Sequence, residues 1–470
     1  MQFPIRQTLT IMTTSTSQNT HETNTANNAS CTTISTILTL AIPTFGQLIA
    51  EPAFVLIDTA IVGHIGGQAL AGLSVGSTIV LTVVGLCVFL AYSTTSQVGR
   101  LLGAGKRREG LEAGVDGLWL AGIIGVVVSV MLFVIARPLC MSMGAQGSVL
   151  HNAVDYVRAV VFGIPGMLLV YAANGIFRGL QKVRITLVAA VAGAVLNTIL
   201  DLLLIIGFGW GVFGSGVATL ISQWFMAVVL IVPAVLWTRA EDARLKPRLS
   251  GVLSSAGDGA VLFVRTLALR ACLVANVVLA THMGVQVLAA YQVVNSSWNF
   301  VLNMLDAIGI AGQTLVAAQI GARHEREVMR LTRIAGRSGL CGGVAIGIGL
   351  MIAGWCASPL FSQSIEIQHL ITVGMMVIGV TLPLAGWMWA VDGILIGAGD
   401  YRYLALTCMA TAAIYVPCLA AIGWICDAVH ASSALRMALL WLAVNLLFVG
   451  LRAVFNGFRI RTSTWLHIEC

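Results

Sequence analysis

The sequence predicts an all-α integral membrane protein, with twelve transmembrane helices in two six-helix lobes related by a pseudo-two-fold axis along the membrane normal. Three observations carry this prediction. Only 10% of the 470 residues are charged and 58% are hydrophobic, whereas a soluble chain carries about 25% charged residues. The apolar residues gather into twelve runs, each near the roughly 20 residues that a helical span requires. Short motifs then recur at one fixed offset, dividing the chain into halves of six runs each.

The runs lie near 36–62, 69–99, 112–136, 152–176, 185–207, 212–237, 256–282, 287–318, 334–357, 367–391, 403–425 and 434–456. They are continuous and rich in Leu, Val, Ala and Gly, unlike the short alternating strands of a closed barrel, the other structure able to span a bilayer. The net charge, 26 − 19 = +7, has a topological origin. Basic residues cluster on alternate loops: Arg100 and Lys106 to Arg108; Arg178, Lys182 and Arg184; Arg239 to Arg248; Arg323 to Arg333; and Arg402, with Arg459 and Arg461 in the tail. The opposite side holds only Arg137, Arg158 and Arg436, which by the positive-inside rule puts both termini in the cytosol. The expected domains are a disordered cytosolic tail over 1–34, an N-lobe over 35–237, an inter-lobe linker over 238–255, a C-lobe over 256–457 and a cytosolic tail over 458–470. The Thr, Asn and Ser-rich start lacks the basic and apolar regions of a signal peptide.

Several function classes are disfavoured. Ten cysteines without a CxxC pair indicate neither a disulfide framework nor a zinc site. No phosphate-binding G-x-x-x-x-G-K-[ST] loop is present, which argues against ATP hydrolysis. The histidines His64, His151, His282, His324, His369 and His430 sit in or near loops rather than in an intramembrane catalytic constellation, so the chain is not expected to be an enzyme. No nucleic-acid partner and no cofactor are expected.

The repeat is explicit. HIGGQALAG from His64 matches HMGVQVLAA from His282, an offset of 218. The same offset pairs GAGKRRE at Gly103 with GARHERE at Gly321, Pro165 with Pro383, and NGIFRG at Asn174 with DGILIG at Asp392. Because each half holds an even number of spans, both enter the membrane in the same direction, and parallel repeats of this kind enclose a cavity at their interface. Rocking of one half against the other makes a transporter the leading functional reading.

Ionisable groups at membrane depth are costly and mark candidate functional positions. In the first half these are Glu51 and Asp58 in span 1, with Asn197 and Asp201 in span 5. Asp58 and Asp201 lie 4 and 6 residues from the outer ends of their spans, roughly 6 to 9 Å at 1.5 Å per residue. Paired carboxyls at one depth suit a site that binds a proton from one side and releases it later, with Asn197 able to hydrogen-bond either state. Glu51 ranks second, since with Pro52 it could satisfy backbone groups freed by the proline. Pro43 and Pro52 predict a bent or broken span 1.

In the second half, Arg265, Arg270 and Asn276 lie on span 7, Asp306 on span 8 and Asp392 on span 10. Depth alone pairs an arginine of span 7 with Asp306. Such a pair could simply hold helices together, or could meet a substrate. The repeat puts Asn276 at the position of Asp58 and Tyr415 at that of Asn197, so the carboxylate cluster has no second copy. Trp298, Asn299, Asn303 and Met304 are candidates for a substrate wall, with lipid-facing positions as the alternative.

The segments EPAFVLIDTAIVGHIGGQALAGL from Glu51, QVGRLLGAGKRREG from Gln97, NGIFRGLQKVR from Asn174 and LNTILD from Leu196 resemble the multidrug and toxic compound extrusion (MATE) family, within it the DinF-like branch. The resemblance covers about residues 35 to 457. It implies two six-helix lobes in a V around a central cavity and cation-coupled efflux of organic, often cationic, compounds. It also carries a proton-linked cluster onto Asp58, Asn174, Asn197 and Asp201. Sodium-linked relatives use acids in helices 7 and 10; here span 7 has no Glu, its Asp258 is at the cytosolic mouth, and Asp392 aligns with Asn174. The expectation is a proton-driven antiporter of small organic cations or amphipaths, monomeric, in the lipid of a bacterial inner membrane. Sodium coupling is the alternative, as is a flippase of lipid-linked saccharides that would use Arg265 and Arg270.

Overall fold

The computed structural model describes residues 18–466, with side chains from 35 onward apart from Glu51 and Phe54. All twelve expected spans are helices: α1 (Gln18–Gly63), α2 (Gly67–Gly103), α3 (Arg107–Ser142), α4 (Gly147–Gly179), α5 (Val183–Gly207), α6 (Gly211–Ala240), α7 (Leu249–His282), α8 (Val285–Gly321), α9 (Glu325–Phe361), α10 (Ile365–Ala398), α11 (Tyr401–Ala428) and α12 (Ser433–Arg461). Each outruns its apolar core by a few residues, because backbone pairing continues into the polar ends until a turn stops it.

Three expectations about the ends change. Residues 1–17 lie outside the described residues, but 18–34 are helical and continuous with α1 rather than part of a disordered tail, since extending a formed helix needs no new nucleus. The linker contracts to 241–248 and is bound to α3. Glu112 accepts from the backbone of Arg244 at 3.2 Å, Asp116 from that of Arg248 at 2.9 Å, and Trp119 donates to the Leu245 carbonyl at 3.2 Å. At the C-terminal end, expected as a tail, a short turn Thr464–Leu466 buries Trp465 completely.

Helix irregularities fall near polar residues. α1 is not broken: it stays helical through Pro43 and Pro52. α2 is interrupted at Cys87 and Val88, α4 has a tight turn at Val161–Gly163 ahead of Pro165, and α5 opens into a π-turn at Leu202–Gly207 directly after Asp201. Wide turns of this kind are frequent at functional sites. Large apolar side chains such as Leu56, Val134, Ile206, Val380 and Trp355 are exposed on the outer faces, the arrangement of a protein whose exterior solvent is lipid.

The lobes meet through α2 and α8, and the contact is reciprocal. A Cβ on Gly103 would stand 1.8 Å from the Ala318 carbonyl oxygen, and one on Gly321 would stand 1.8 Å from that of Arg100. Arg100 and Ala318, like Gly103 and Gly321, are separated by 218 residues, so the crossing lies on the pseudo-two-fold axis. Around it Ser96 donates to the Ile396 carbonyl at 2.8 Å, Arg100 to that of Ala398 at 2.9 Å, and Gln313 to that of Tyr92 at 2.8 Å. Farther along, the lobes touch at Phe45 and Phe300, with ring centroids 6.2 Å apart. The α2–α8 contacts join the lobes at the end that carries the basic loops.

Gly103→Ala and Gly321→Ala are each expected to destabilise the protein by about 1 to 3 kcal/mol through overpacking. Thermal unfolding in detergent measures this, with Gly122→Ala, where a Cβ meets nothing within 4 Å, unchanged.

Candidate functional site

The N-lobe site is assembled from the buried faces of four helices. On α5 the buried residues Val183, Thr186, Ala189, Gly193, Asn197 and Asp201 form one stripe at helical spacing. On α6, Ser215, Thr219 and Gln223 follow at intervals of four and are also buried. Asp58 enters from α1 and is 6% exposed; Asp201 is 0% exposed. The two carboxyls are within electrostatic reach of each other and of Tyr156 on α4, while Ser215 lies beside Asp58.

Among the described residues, Oδ1 of Asp58, both carboxyl oxygens of Asp201, both amide atoms of Asn197 and Oδ1 of Asn174 are buried with no hydrogen-bond partner. Buried polar atoms are nearly always satisfied, which marks this cluster as the candidate site of the N-lobe. Its cavities are too small for an organic ligand. The cavity beside Asp58 and Tyr156 is about 20 Å³, and the adjoining one beside Gln47 and Asn174 is about 60 Å³; they share Met167 and Gln223. Such volumes admit a water or a few, whereas organic ligands occupy pockets of roughly 300 to 1,000 Å³.

Asp58 and Asp201 are thus neighbours, Asn197 stands one turn before Asp201 on the same buried stripe of α5, and Asn174 lines the adjoining cavity. Glu51's side chain lies outside the described residues. Tyr156, Ser215, Thr219 and Gln223 escape sequence reading, because uncharged polar side chains in an apolar run do not stand out. Gln47, which accepts from buried Arg178 at 3.0 Å, was detectable: it stands 218 residues before Arg265.

The C-lobe carries different chemistry at the repeated positions. Tyr415 donates to Asn276 at 2.5 Å, a neutral pair where the N-lobe has Asp58 and Asn197. The expected pairing of a span 7 arginine, Arg265 or Arg270, with Asp306 is corrected. Arg265 pairs with Asp392, which also holds Arg452 at 3.1 Å and accepts from Asn456 at 3.2 Å. Asp306 instead accepts from Tyr92 of the N-lobe at 3.1 Å. Counting residues from a helix end gives depth but not rotation about the axis, and rotation decides these partners. Arg452 and Asn456, four apart on α12, were visible as polar residues within or bounding an apolar run.

Between the lobes lies a cavity of about 320 Å³ reached by Tyr92, Arg265, Arg270, Asp306, Asp392 and Arg452. Of the expected wall, Trp298, Asn299 and Asn303 line it; Met304 does not, being turned about 100° from its neighbour Asn303. Trp298 is held at right angles to Trp389, centroids 6.3 Å apart, and Arg452 sits 5.1 Å over the Trp389 ring.

Two lobes in parallel register, each with a buried polar cluster, and a ligand-sized cavity between them define a multi-pass membrane transporter rather than an enzyme. The chain belongs to the MatE family of multidrug and toxic compound extrusion transporters, whose family profile matches residues 43–203 and 250–421, one segment in each lobe. It is 26% identical to Protein DETOXIFICATION 43 of Arabidopsis thaliana over 91% of this chain and 90% of that one. It is also 26% identical to the DNA damage-inducible protein F of Escherichia coli (strain K12), over 88% and 89% of the two chains. The fold matches the Vibrio cholerae MATE transporter VcmN in its bent form, with a TM-score of 0.83 at 18% identity over 93% of this chain and 99% of that one.

Asp392→Asn leaves Arg265 and Arg452 without a buried counter-charge and is expected to cost about 3 to 5 kcal/mol. Thermal unfolding of the purified protein checks this; an unchanged midpoint would show that the cluster is solvated without Asp392.

Proposed function

We propose that this protein is a proton-coupled antiporter that extrudes amphipathic organic compounds by alternating access. Asp58 and Asp201 are the coupling groups, Asn197 and Asn174 their polar support, and no cofactor takes part. The observation that carries this reading is the set of unpartnered carboxyl and amide atoms of Asp58, Asn197 and Asp201, with a water-sized cavity at Asp58. With the basic loops cytosolic under the positive-inside rule, the end at which α2 and α8 join the lobes faces the cytosol. A monomer with both termini cytosolic in a bacterial cytoplasmic membrane fits this orientation.

Protons then enter from outside onto the carboxyl pair. α1 is the element that can relay the change. It carries Asp58, packs on α5 where a Gly46 Cβ would meet Leu187 at 2.8 Å, and touches α8 of the C-lobe through Phe45 and Phe300. Pro43 and Pro52 remove backbone donors from α1 and make bending cheap. Bending of α1 on protonation alters the inter-lobe cavity and releases substrate outward; proton release to the cytosol resets the cycle.

The test is dye efflux from proteoliposomes under an imposed pH gradient and, separately, a sodium gradient. Efflux is expected to follow the pH gradient and to fall at least about tenfold in Asp58→Asn and in Asp201→Asn. Transport by Asp58→Asn at the wild-type rate removes Asp58 as a coupling group, and efflux driven by sodium alone replaces the proton with that ion.

A further inference from the structure

A second cavity, a groove of about 850 Å³, runs between α7 and α11 and is lined mainly by apolar side chains such as Val274, Val278, Val416 and Trp424, which are exposed, so that it opens toward the lipid. Its polar rim holds Arg270, with His282 and Asp427 also among its lining residues, and Asp427 is already paired with Arg436 at 3.0 Å. Arg270 also lines the 320 Å³ inter-lobe cavity. It is the group at which the two cavities meet.

Position and partners set this arginine apart. It stands twelve residues before His282, the end of α7, or about 18 Å along the helix, close to the bilayer midplane. Arg265 and Arg452 are buried against Asp392, and Arg178 is buried against Gln47. Arg270 is exposed and, among the described residues, has no carboxylate within 4 Å. Its guanidinium reaches to α2, where a Cβ on Gly85 would meet Nη2 at 2.8 Å. A charge at this depth is costly unless a cavity or a counter-ion receives it.

The surrounding charge selects the sign of that counter-ion. The cavity between α7 and α11 presents Arg270 against Asp427, whose charge Arg436 already answers, and the adjoining inter-lobe cavity presents Arg265, Arg270 and Arg452 against Asp306 and Asp392, or 3 − 2 = +1. Neither carboxylate is free: Asp392 holds two arginines, and Asp306 accepts from Tyr92. We propose that the cavity between α7 and α11 binds an anionic amphiphile, its apolar body along the two helices and its acid group on Arg270. The site is thus the opposite in charge to the cationic substrates that the sequence resemblance implies. The assignment rests on the efflux reading for its role and deepens it by naming the substrate class, but binding itself requires neither coupling ion nor gradient.

The test is equilibrium binding to the full chain in nanodiscs of phosphatidylcholine, which has no net charge to compete for Arg270. The probes are a dansyl-labelled alkyl carboxylate and the matching dansyl-labelled alkyl amine, read by fluorescence without any gradient. The wild-type protein is expected to prefer the carboxylate, and Arg270→Gln to weaken the carboxylate by about tenfold or more while leaving the amine unchanged. Arg270→Lys should restore most of the carboxylate affinity. Ala420→Trp, at an exposed position lining the cavity, should weaken binding by filling the space for the apolar body. Equal binding of the two probes by the wild-type protein would overturn the proposal without any variant, as would unchanged carboxylate binding in Arg270→Gln. Failure of pH-driven efflux alongside carboxylate-selective binding would instead count against the coupling reading alone.

Discussion

The backbone crossing of α2 and α8 at Gly103 and Gly321 is the constraint on which the remaining architecture rests. Two helices can approach this closely only where neither has a side chain, and the 1.8 Å that a Cβ would leave on either side permits no other residue without separation. The crossing fixes the pseudo-axis and holds the lobes together at the end that carries the basic loops. Hydrogen bonds from Ser96, Arg100 and Gln313 to carbonyls across the interface add direction to a contact that packing alone would leave free to slide.

Within that frame the two lobes divide the chemistry. Equivalent positions in the repeat hold unpartnered carboxyl and amide groups in one lobe and a satisfied Tyr415 to Asn276 hydrogen bond in the other. The arginines follow the opposite pattern. Gln47 is the counterpart of Arg265 and Asn174 that of Asp392, so where the C-lobe has an ion cluster the N-lobe has uncharged amides, with Gln47 accepting from Arg178. The carboxyls proposed for coupling are those without fixed partners, while Asp392 is tied to two arginines.

Much of the fold was legible in the sequence because the bilayer imposes simple rules. A span must be apolar and long enough, and a duplication leaves its offset in turns and prolines that tolerate little change. Asp58 and Asp201 were legible for the same reason, since a carboxylate in an apolar run is conspicuous. What a linear reading lacks is rotation about each helix axis. That is why Asp306 could be placed at the depth of Arg265 and still turn to Tyr92, and why Met304 shares a segment with Asn303 and points elsewhere. Arg270 shows the same limit: its depth was readable, but its isolation became evident only when every neighbouring helix had a direction. The uncharged members of the N-lobe site, Tyr156, Thr219 and Gln223, carry no conspicuous desolvation cost and left no mark in the composition.

The reciprocity of the central crossing has a further meaning. Contacts in which residue i meets j while j's counterpart meets i's are those of an isologous homodimer, and Arg100 with Gly321 and Ala318 with Gly103 obey that rule. A six-span chain bearing one such glycine ridge would meet a second copy of itself through the same surface, with both copies inserted in the same sense. In such a dimer every polar group would appear twice. Because one chain carries both halves, joined through the segment bound to α3, the contact stays symmetric while the halves differ, with unpartnered carboxyls in one lobe and Asp392 between two arginines in the other.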